Sequence, residues 1–318
     1  MTAAETLTEA PSAGPASTDE AGRRTQVAAA APSAFRDWSV LLKARITVFV
    51  LLAAAVGGRL GDPDLATGRV WLAAILIACT GASASILNQV LERDTDRLMP
   101  RTAQRPVADG RIRRRTATAV AVLLGAIGVV GLIREFEPLA ALLSLGTIFA
   151  YVLVYTPLKR LTSFNTLVGA VPGAMPPLLG VVATAGEPGP WGWGLFATLF
   201  VWQFPHFMAI AWLYREDYAA AEMKMVAAIP GTESMAGRQA FLYCLPMLPA
   251  SLLPTAVGTA GWLYSLPASA LALVYIAAAA AFAGRQDRRN ARRLMFTSLL
   301  YLPALLGVAW LDTILRIA

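Results

Sequence analysis

VWLAAILIACTGASASILNQVLERDTDRLMPRTAQRP, residues 70–106, joins an uncharged apolar run to a dense string of acids and arginines. The run 70–91 contains no Asp, Glu, Lys or Arg. A bilayer core about 30 Å thick takes roughly 20 residues of helix, so this stretch predicts a transmembrane helix whose end carries an unusual charge cluster. Eight more segments of the same kind surround it, at about 40–58, 116–133, 138–156, 165–185, 191–213, 239–259, 264–283 and 296–315. The expected fold is therefore all-α, a polytopic membrane protein of nine transmembrane helices.

Composition agrees. The chain has 318 residues, 57% of them hydrophobic and only 15% charged, with a mean hydropathy of +0.56; soluble domains carry about 25% charged residues. Many of its 25 glycines and 20 prolines fall inside apolar runs, as is common in membrane helices. Cys79 and Cys244 also lie in apolar runs. They offer neither a disulfide framework nor metal-ligand spacing and read as small buried residues. Residues 1–35, rich in Ala, Thr, Pro, Ser and Glu, lack the basic start and apolar core of a signal peptide. They are expected to form a disordered cytoplasmic tail ahead of a transmembrane domain at 36–318.

The net charge of +7 is concentrated in alternate loops. Arg93, Arg97, Arg101, Arg105, Arg111, Arg113, Arg114 and Arg115 follow the second segment; Lys159 and Arg160 follow the fourth; Arg285, Arg288, Arg289, Arg292 and Arg293 follow the eighth. The intervening loops are neutral or acidic, while the loop from Arg215 to Arg238 is mixed in sign. Positive loops stay in the cytoplasm, which predicts an N-terminus inside and a C-terminus outside. The pattern sets topology and gives no sign of nucleic-acid binding.

In the acidic string, Asn88, Glu92 and Asp96 are spaced four apart and fall on one helix face, with Asp94 nearly opposite. Three oxygen-bearing groups at a membrane boundary suit Mg²⁺, a hard cation usually shared between carboxylates and substrate phosphates. Arg93, Arg97, Arg101 and Arg105 add forked donors for phosphate oxygens. Polar groups at membrane depth are costly and point to function. Together they predict a site for a metal-bound diphosphate.

At this point the string NQVLERDTDRLMPRTAQRP resembles the first Asp-rich motif of the UbiA-type intramembrane prenyltransferases: an Asn, an acid four on, an Asp four further, then M-x-R-T-x-x-R-P. LLKARITVFVLL (41–52) is similar to the family's opening motif, with Ala44 in place of the usual Pro. YTPLKRLTSFNTLVGAVPGAMPPLLG (155–180), WQFPHFMAIAWLYREDYAAAEMKM (202–225) and Arg292 to Leu302 resemble stretches of its haem-modifying branch, with Glu222 where Gly is expected. The resemblance covers residues 36–318. It implies nine helices around a central cavity in the cell membrane. The implied reaction transfers a farnesyl group from farnesyl diphosphate to a vinyl group of protohaem IX (haem B), giving haem O. Mg²⁺ would be the cofactor and haem a substrate. A hand-off of product to a haem-modifying oxygenase or to terminal oxidase assembly would follow.

The resemblance also assigns residues. Asn88, Glu92 and Asp96 become metal ligands and catalytic groups; Arg101 and Arg105 lie near the diphosphate. Tyr155 and Lys159 match a Y-x-x-x-K element, with Lys159 a diphosphate ligand or an ordinary topology-setting cation. Arg45 lies within the first apolar segment, and the resemblance turns it toward the cavity. Lys43, nearer that segment's end, is expected to snorkel to the interface. Asp217 fits a second acidic motif, D-x-x-x-D, whose other acid would fall at Ala221 and is absent. His206, the one histidine, is either a hydrogen-bonded bundle residue or a contact to haem iron or a haem propionate. Pro172, Pro176 and Pro177 are expected to kink the fifth helix. Two rival functions remain open: a prenyltransferase for a quinone-precursor or chlorophyllide acceptor, and a non-enzymatic transporter of lipid or haem.

Overall fold

A computed structural model describes residues 33–220, 224, 226, 231–232 and 234–317. Most of the expected N-terminal tail, residues 1–32, and positions Ala221 and Glu222 lie outside the described residues. The chain runs α1 (Ala34–Leu41), α2 (Ala44–Gly61), α3 (Thr67–Leu91), α4 (Arg93–Asp96), α5 (Arg114–Glu135), α6 (Pro138–Phe149), a π turn (Ala150–Tyr155) and α7 (Thr156–Leu161). It continues through α8 (Asn165–Ala185), α9 (Gly189–Leu213), α10 (Arg215–Ala220), α11 (Met235–Cys244), α12 (Met247–Ala256), α13 (Trp262–Gly284) and α14 (Arg288–Ile317). The described residues are helical with no strand, and the chain is a multi-pass membrane protein.

Among the described residues, eight helices are long and apolar enough to cross a membrane, taking α6, the π turn and α7 as one. The seventh segment read from sequence, 239–259, is instead two ten-residue helices, α11 and α12. They part at Leu245 and Pro246, where the proline ring has no N–H to continue the ladder. The three prolines expected to kink the fifth segment sit inside an unbroken α8.

Two apolar cores flank the centre. One joins α9 to α11–α14 and holds the fully buried Tyr264 and Tyr275; the other joins α2, α3, α6 and α8. The phenol of Tyr264 donates to the Ser251 carbonyl at 2.6 Å, and that of Tyr275 to the Trp202 carbonyl at 2.9 Å. Buried phenols are thus used where a backbone acceptor is in reach. Cys79 and Cys244 are both free thiols; Cys244 is buried as expected, whereas Cys79 is only half-buried.

Helix α8 is the central post: 78% of its spanning window is buried, against 22% for α5 at the edge. Lipid offers helices no hydrophobic incentive to associate, so close contact between small residues does the work. A Cβ on Gly57 would lie 2.1 Å from the Pro177 carbonyl oxygen, and one on Gly180 would lie 2.1 Å from that of Ala54. Helices α2 and α8 therefore touch backbone to backbone. This contact fixes the far wall of the space between the cores. Gly180→Ala is expected to lower stability by about 1–3 kcal/mol through overpacking, read as a lowered melting temperature in detergent.

Candidate active site

A cavity of about 640 Å³ opens between α2, α3, α8, α9 and α14. Its upper wall is charged, and its depth is lined by residues such as Phe49, Ile77, Met175, Leu179 and Leu302. Of the ten site residues read from sequence, nine line it: Arg45, Asn88, Glu92, Asp96, Arg101, Arg105, Tyr155, Lys159 and His206. Asp217, half-buried at the start of α10, does not; its neighbour Tyr218 does.

The acid face forms as the spacing predicts, with a bend. Helix α3 ends at Leu91 and Glu92 leaves helical geometry (φ −84, ψ 6), but the ladder persists. Glu92 N–H donates to the Asn88 carbonyl at 2.9 Å, and Asp96 N–H to the Glu92 carbonyl at 2.7 Å. Asn88, Glu92 and Asp96 are all buried, whereas the Asp94 side chain is 88% exposed and outside the cluster.

Each of the three meets a cation. Lys159 Nζ donates to Glu92 Oε1 at 2.7 Å. Arg105 Nη1 reaches both oxygens of Asp96 at 2.8 Å and lies 3.9 Å from Glu92 Oε2. Lys43 Nζ donates to Asn88 Oδ1 at 3.3 Å and to the Tyr151 hydroxyl at 3.4 Å. Lys43 therefore does not snorkel outward: it turns into the cavity wall. Burial pushes the Asp96 carboxyl above the usual carboxylate range, against the opposing pull of the Arg105 guanidinium.

The Asn88 amide is oriented by its neighbours. The Thr156 hydroxyl donates to the Tyr151 carbonyl at 2.9 Å, so its oxygen accepts from Asn88 Nδ2 at 3.0 Å. That assignment leaves Asn88 Oδ1 as the group offered to the cavity. Three hard oxygen ligand groups, only two of them carboxylates, fit Mg²⁺, which keeps water and phosphate oxygens in its shell.

Arg101 lies over the rings of Tyr214 and Tyr218, 4.9 and 5.5 Å from their centroids, and donates to the Tyr218 hydroxyl at 3.2 Å. Among the described residues no carboxylate comes within 4.0 Å of it. Lys159 Nζ sits 4.6 Å from the Tyr155 ring centroid. The π turn sets these tyrosines, with Thr156 N–H bonding five residues back to Tyr151. Gly169 opens the space for Tyr155, since a Cβ there would lie 2.5 Å from the ring. The spacing of four from Tyr151 to Tyr155 to Lys159 was the signal for Tyr151; for Lys43 and Tyr218 the sequence holds none beyond their neighbourhood.

Deeper in, His206 stacks on Trp202, with centroids 4.9 Å apart and planes at 15°. Its Nδ1 lies 2.7 Å from Ser298 Oγ. The Ser298 hydroxyl donates to the Met295 carbonyl at 2.5 Å, so Nδ1 carries the proton and donates to Ser298. Nε2 is left with a lone pair, the form that ligates a metal and not the form that donates to a carboxylate.

Residues 31–300 match the model of the UbiA prenyltransferase family. The chain is 39% identical over 287 residues to the protoheme IX farnesyltransferase of Solibacter usitatus, covering 87% of this chain and 98% of that protein. It is 37% identical over 277 residues to the protoheme IX farnesyltransferase of Salinibacter ruber, with 87% and 98% covered. A UbiA homolog from Aeropyrum pernix superposes with a TM-score of 0.69 at 21% identity, covering 86% and 98%. One from Archaeoglobus fulgidus bound to GPP and Mg²⁺ superposes with a TM-score of 0.64 at 18% identity, covering 86% and 99%. These two structures share the fold. The chain belongs to the UbiA prenyltransferase family.

Proposed function

We propose that this chain transfers the farnesyl group of farnesyl diphosphate to a vinyl group of protohaem IX, releasing diphosphate and giving haem O. The observation that carries this reading is one cavity with a charged wall at Glu92, Asp96, Arg105 and Lys159, an apolar interior, and a stacked Trp202–His206 pair on its lining. The names of the close relatives support the same substrates.

The allylic C–O bond breaks with its electron pair leaving on the diphosphate. Charge builds on the departing oxygens, where Lys159, Arg101 and Arg105 neutralise it in a setting of low dielectric. Asn88, Glu92 and Asp96 are the groups that would hold Mg²⁺, which supplies Lewis-acid stabilisation of the leaving group when bound. The farnesyl carbon bonds to the terminal vinyl carbon, and water adds to the adjacent carbon with loss of a proton. Apolar walls hold both greasy substrates and keep water from the cation before the vinyl group captures it. His206 Nε2 is the atom that would bind the haem iron, with the Trp202 ring stacked against the imidazole. Asp217, off the wall, is given no role.

The protein resides in the cell membrane with its N-terminus in the cytoplasm and its C-terminus outside, as the loop charges direct. Its product passes to a haem-modifying oxygenase or to terminal oxidase assembly.

Membranes containing the chain, incubated with farnesyl diphosphate and protohaem, are expected to yield haem O by HPLC. Prenylation of 4-hydroxybenzoate with haem left untouched would sink the haem assignment. Asp96→Asn is expected to cut turnover by about 10²–10³-fold, the scale of losing one preorganised electrostatic group, with the protein still inserted. Chelating divalent metal is expected to abolish turnover, and full activity in chelator would remove the metal. Titrating haem into His206→Ala is expected to lack the Soret shift of the parent protein; an unchanged spectrum between the two would rule out iron ligation there.

A further inference from the structure

We propose that Lys43 is a further diphosphate-binding cation, and that the elbow between α1 and α2 is built to aim it at the site. The proposal rests on the reading of that site as a diphosphate site. Lys43 has φ 48 and ψ 51, and it is the one non-glycine residue with positive φ among the described residues. That left-handed conformation crowds a Cβ against the backbone and is an outlier for a long side chain. Glycine takes it without penalty, and Asn or Asp tolerate it through local hydrogen bonds. Were the turn alone required, a lysine would be a poor choice. Strained residues of this kind persist where surrounding structure holds them, and they cluster at functional sites.

The surroundings do hold it. Lys43 N–H donates to the Val40 carbonyl at 3.1 Å, and the Lys43 carbonyl accepts from Thr47 N–H at 3.0 Å. The Thr47 hydroxyl closes the bend on the Leu42 carbonyl at 2.7 Å. Gln89, buried in α3, donates its amide to the Leu41 carbonyl at 2.7 Å. Gln89 adjoins Asn88, so one turn of α3 both presents a metal-type oxygen and clamps the elbow. The elbow is thereby kept in register with the acid face.

The result is an ammonium placed where an anion would need it. Lys43 Nζ lies 3.3 Å from Asn88 Oδ1 and 3.4 Å from the Tyr151 hydroxyl. An ammonium has three N–H donors, so one remains for a phosphate oxygen. Lys159 and Arg105 are each neutralised by a carboxylate. Lys43 has no carboxylate within 4.0 Å among the described residues, which it shares with Arg101.

The test uses the full chain in detergent, as wild type, K43M, K43R and K43G. Binding of inorganic diphosphate with Mg²⁺ is followed by calorimetry, and melting temperature is taken without added ligand. K43M and K43G are expected to weaken diphosphate binding about 10- to 100-fold, the scale of one charged hydrogen bond, with K43R retaining most of the affinity. K43G is expected to melt at or above the wild-type temperature, because glycine removes the backbone strain. Wild-type affinity in K43M and K43G would overturn the proposal while leaving the site reading intact. A K43G protein that fails to fold, or melts well below wild type, would overturn the strain account, and K43M would then decide the binding role. A wild-type chain that binds no diphosphate would bring down the site reading, and the role of Lys43 with it.

Discussion

The contact on which the site depends is the pair of buried carboxylates at the end of α3, each held by a cation from elsewhere in the chain. Glu92 meets Lys159, 67 residues away in sequence, and Asp96 meets Arg105. A carboxylate removed from water without such a partner would protonate and lose its value as a ligand. Removing one partner of a buried pair typically costs about 3–5 kcal/mol, because the other charge is stranded. The two pairs therefore do more than decorate a wall. They oblige α3, α7 and the turns at 97–113 to converge at one end of the bundle. Thr102, donating to the Asp96 carbonyl at 2.9 Å, and Arg97, donating to the Ala108 carbonyl at 2.7 Å, fix those turns further.

From that charged end the cavity changes character over a short distance. Tyr151 and Tyr155, with centroids 5.3 Å apart, stand between the ions and the apolar depth. Aromatic faces tolerate a nearby cation while excluding water, which suits the passage of an allylic group away from its diphosphate. Making room for these rings takes a π turn on one side and a glycine on the other. Further along, Gly173 lets α9 approach α8, where Gln203 donates to the Ala170 carbonyl at 2.9 Å. The helices can thus sit close at the cavity floor without leaving a buried amide unpaired. Small residues in α8 bring the helices together, and large rings in the π turn and α9 shape what remains between them.

Much of this was legible in the sequence because the signals are periodic or compositional. Apolar runs of spanning length announced the helices. The spacing of Asn88, Glu92 and Asp96 announced a shared face, and its geometry survives a bend at Glu92. What was not legible depends on tertiary contact. A run of apolar residues at 239–259 looks like one span, and only the local cost of Pro246 divides it. The sequence turned Arg45 toward the cavity and Lys43 outward, yet both line the wall. The left-handed backbone at Lys43 turns it inward, and that elbow is held by Gln89 from another helix. Asp217 and Tyr218 are neighbours, so motif reasoning chose the acid while the placement of α10 brings the phenol to the wall.

The cations of the site fall into two groups with different duties. Lys159 and Arg105 are bound to carboxylates and hold those acids in place, which offsets part of their own charge. Lys43 and Arg101 face hydroxyls, rings and an amide oxygen instead. An anion carrying several negative charges would be repelled by Glu92 and Asp96 alone. It would find little net attraction in the paired cations. Added attraction comes from Lys43 and Arg101, which have no carboxylate within 4.0 Å among the described residues, together with whatever metal the acids hold. As the C–O bond breaks, charge moves onto the diphosphate, so the pull from Lys43 and Arg101 grows in the transition state. Interactions that strengthen in this way are the ones that accelerate chemistry. The carboxylate-paired Lys159 and Arg105 meet the departing oxygens from a fixed position, and Lys43 and Arg101 add to that pull.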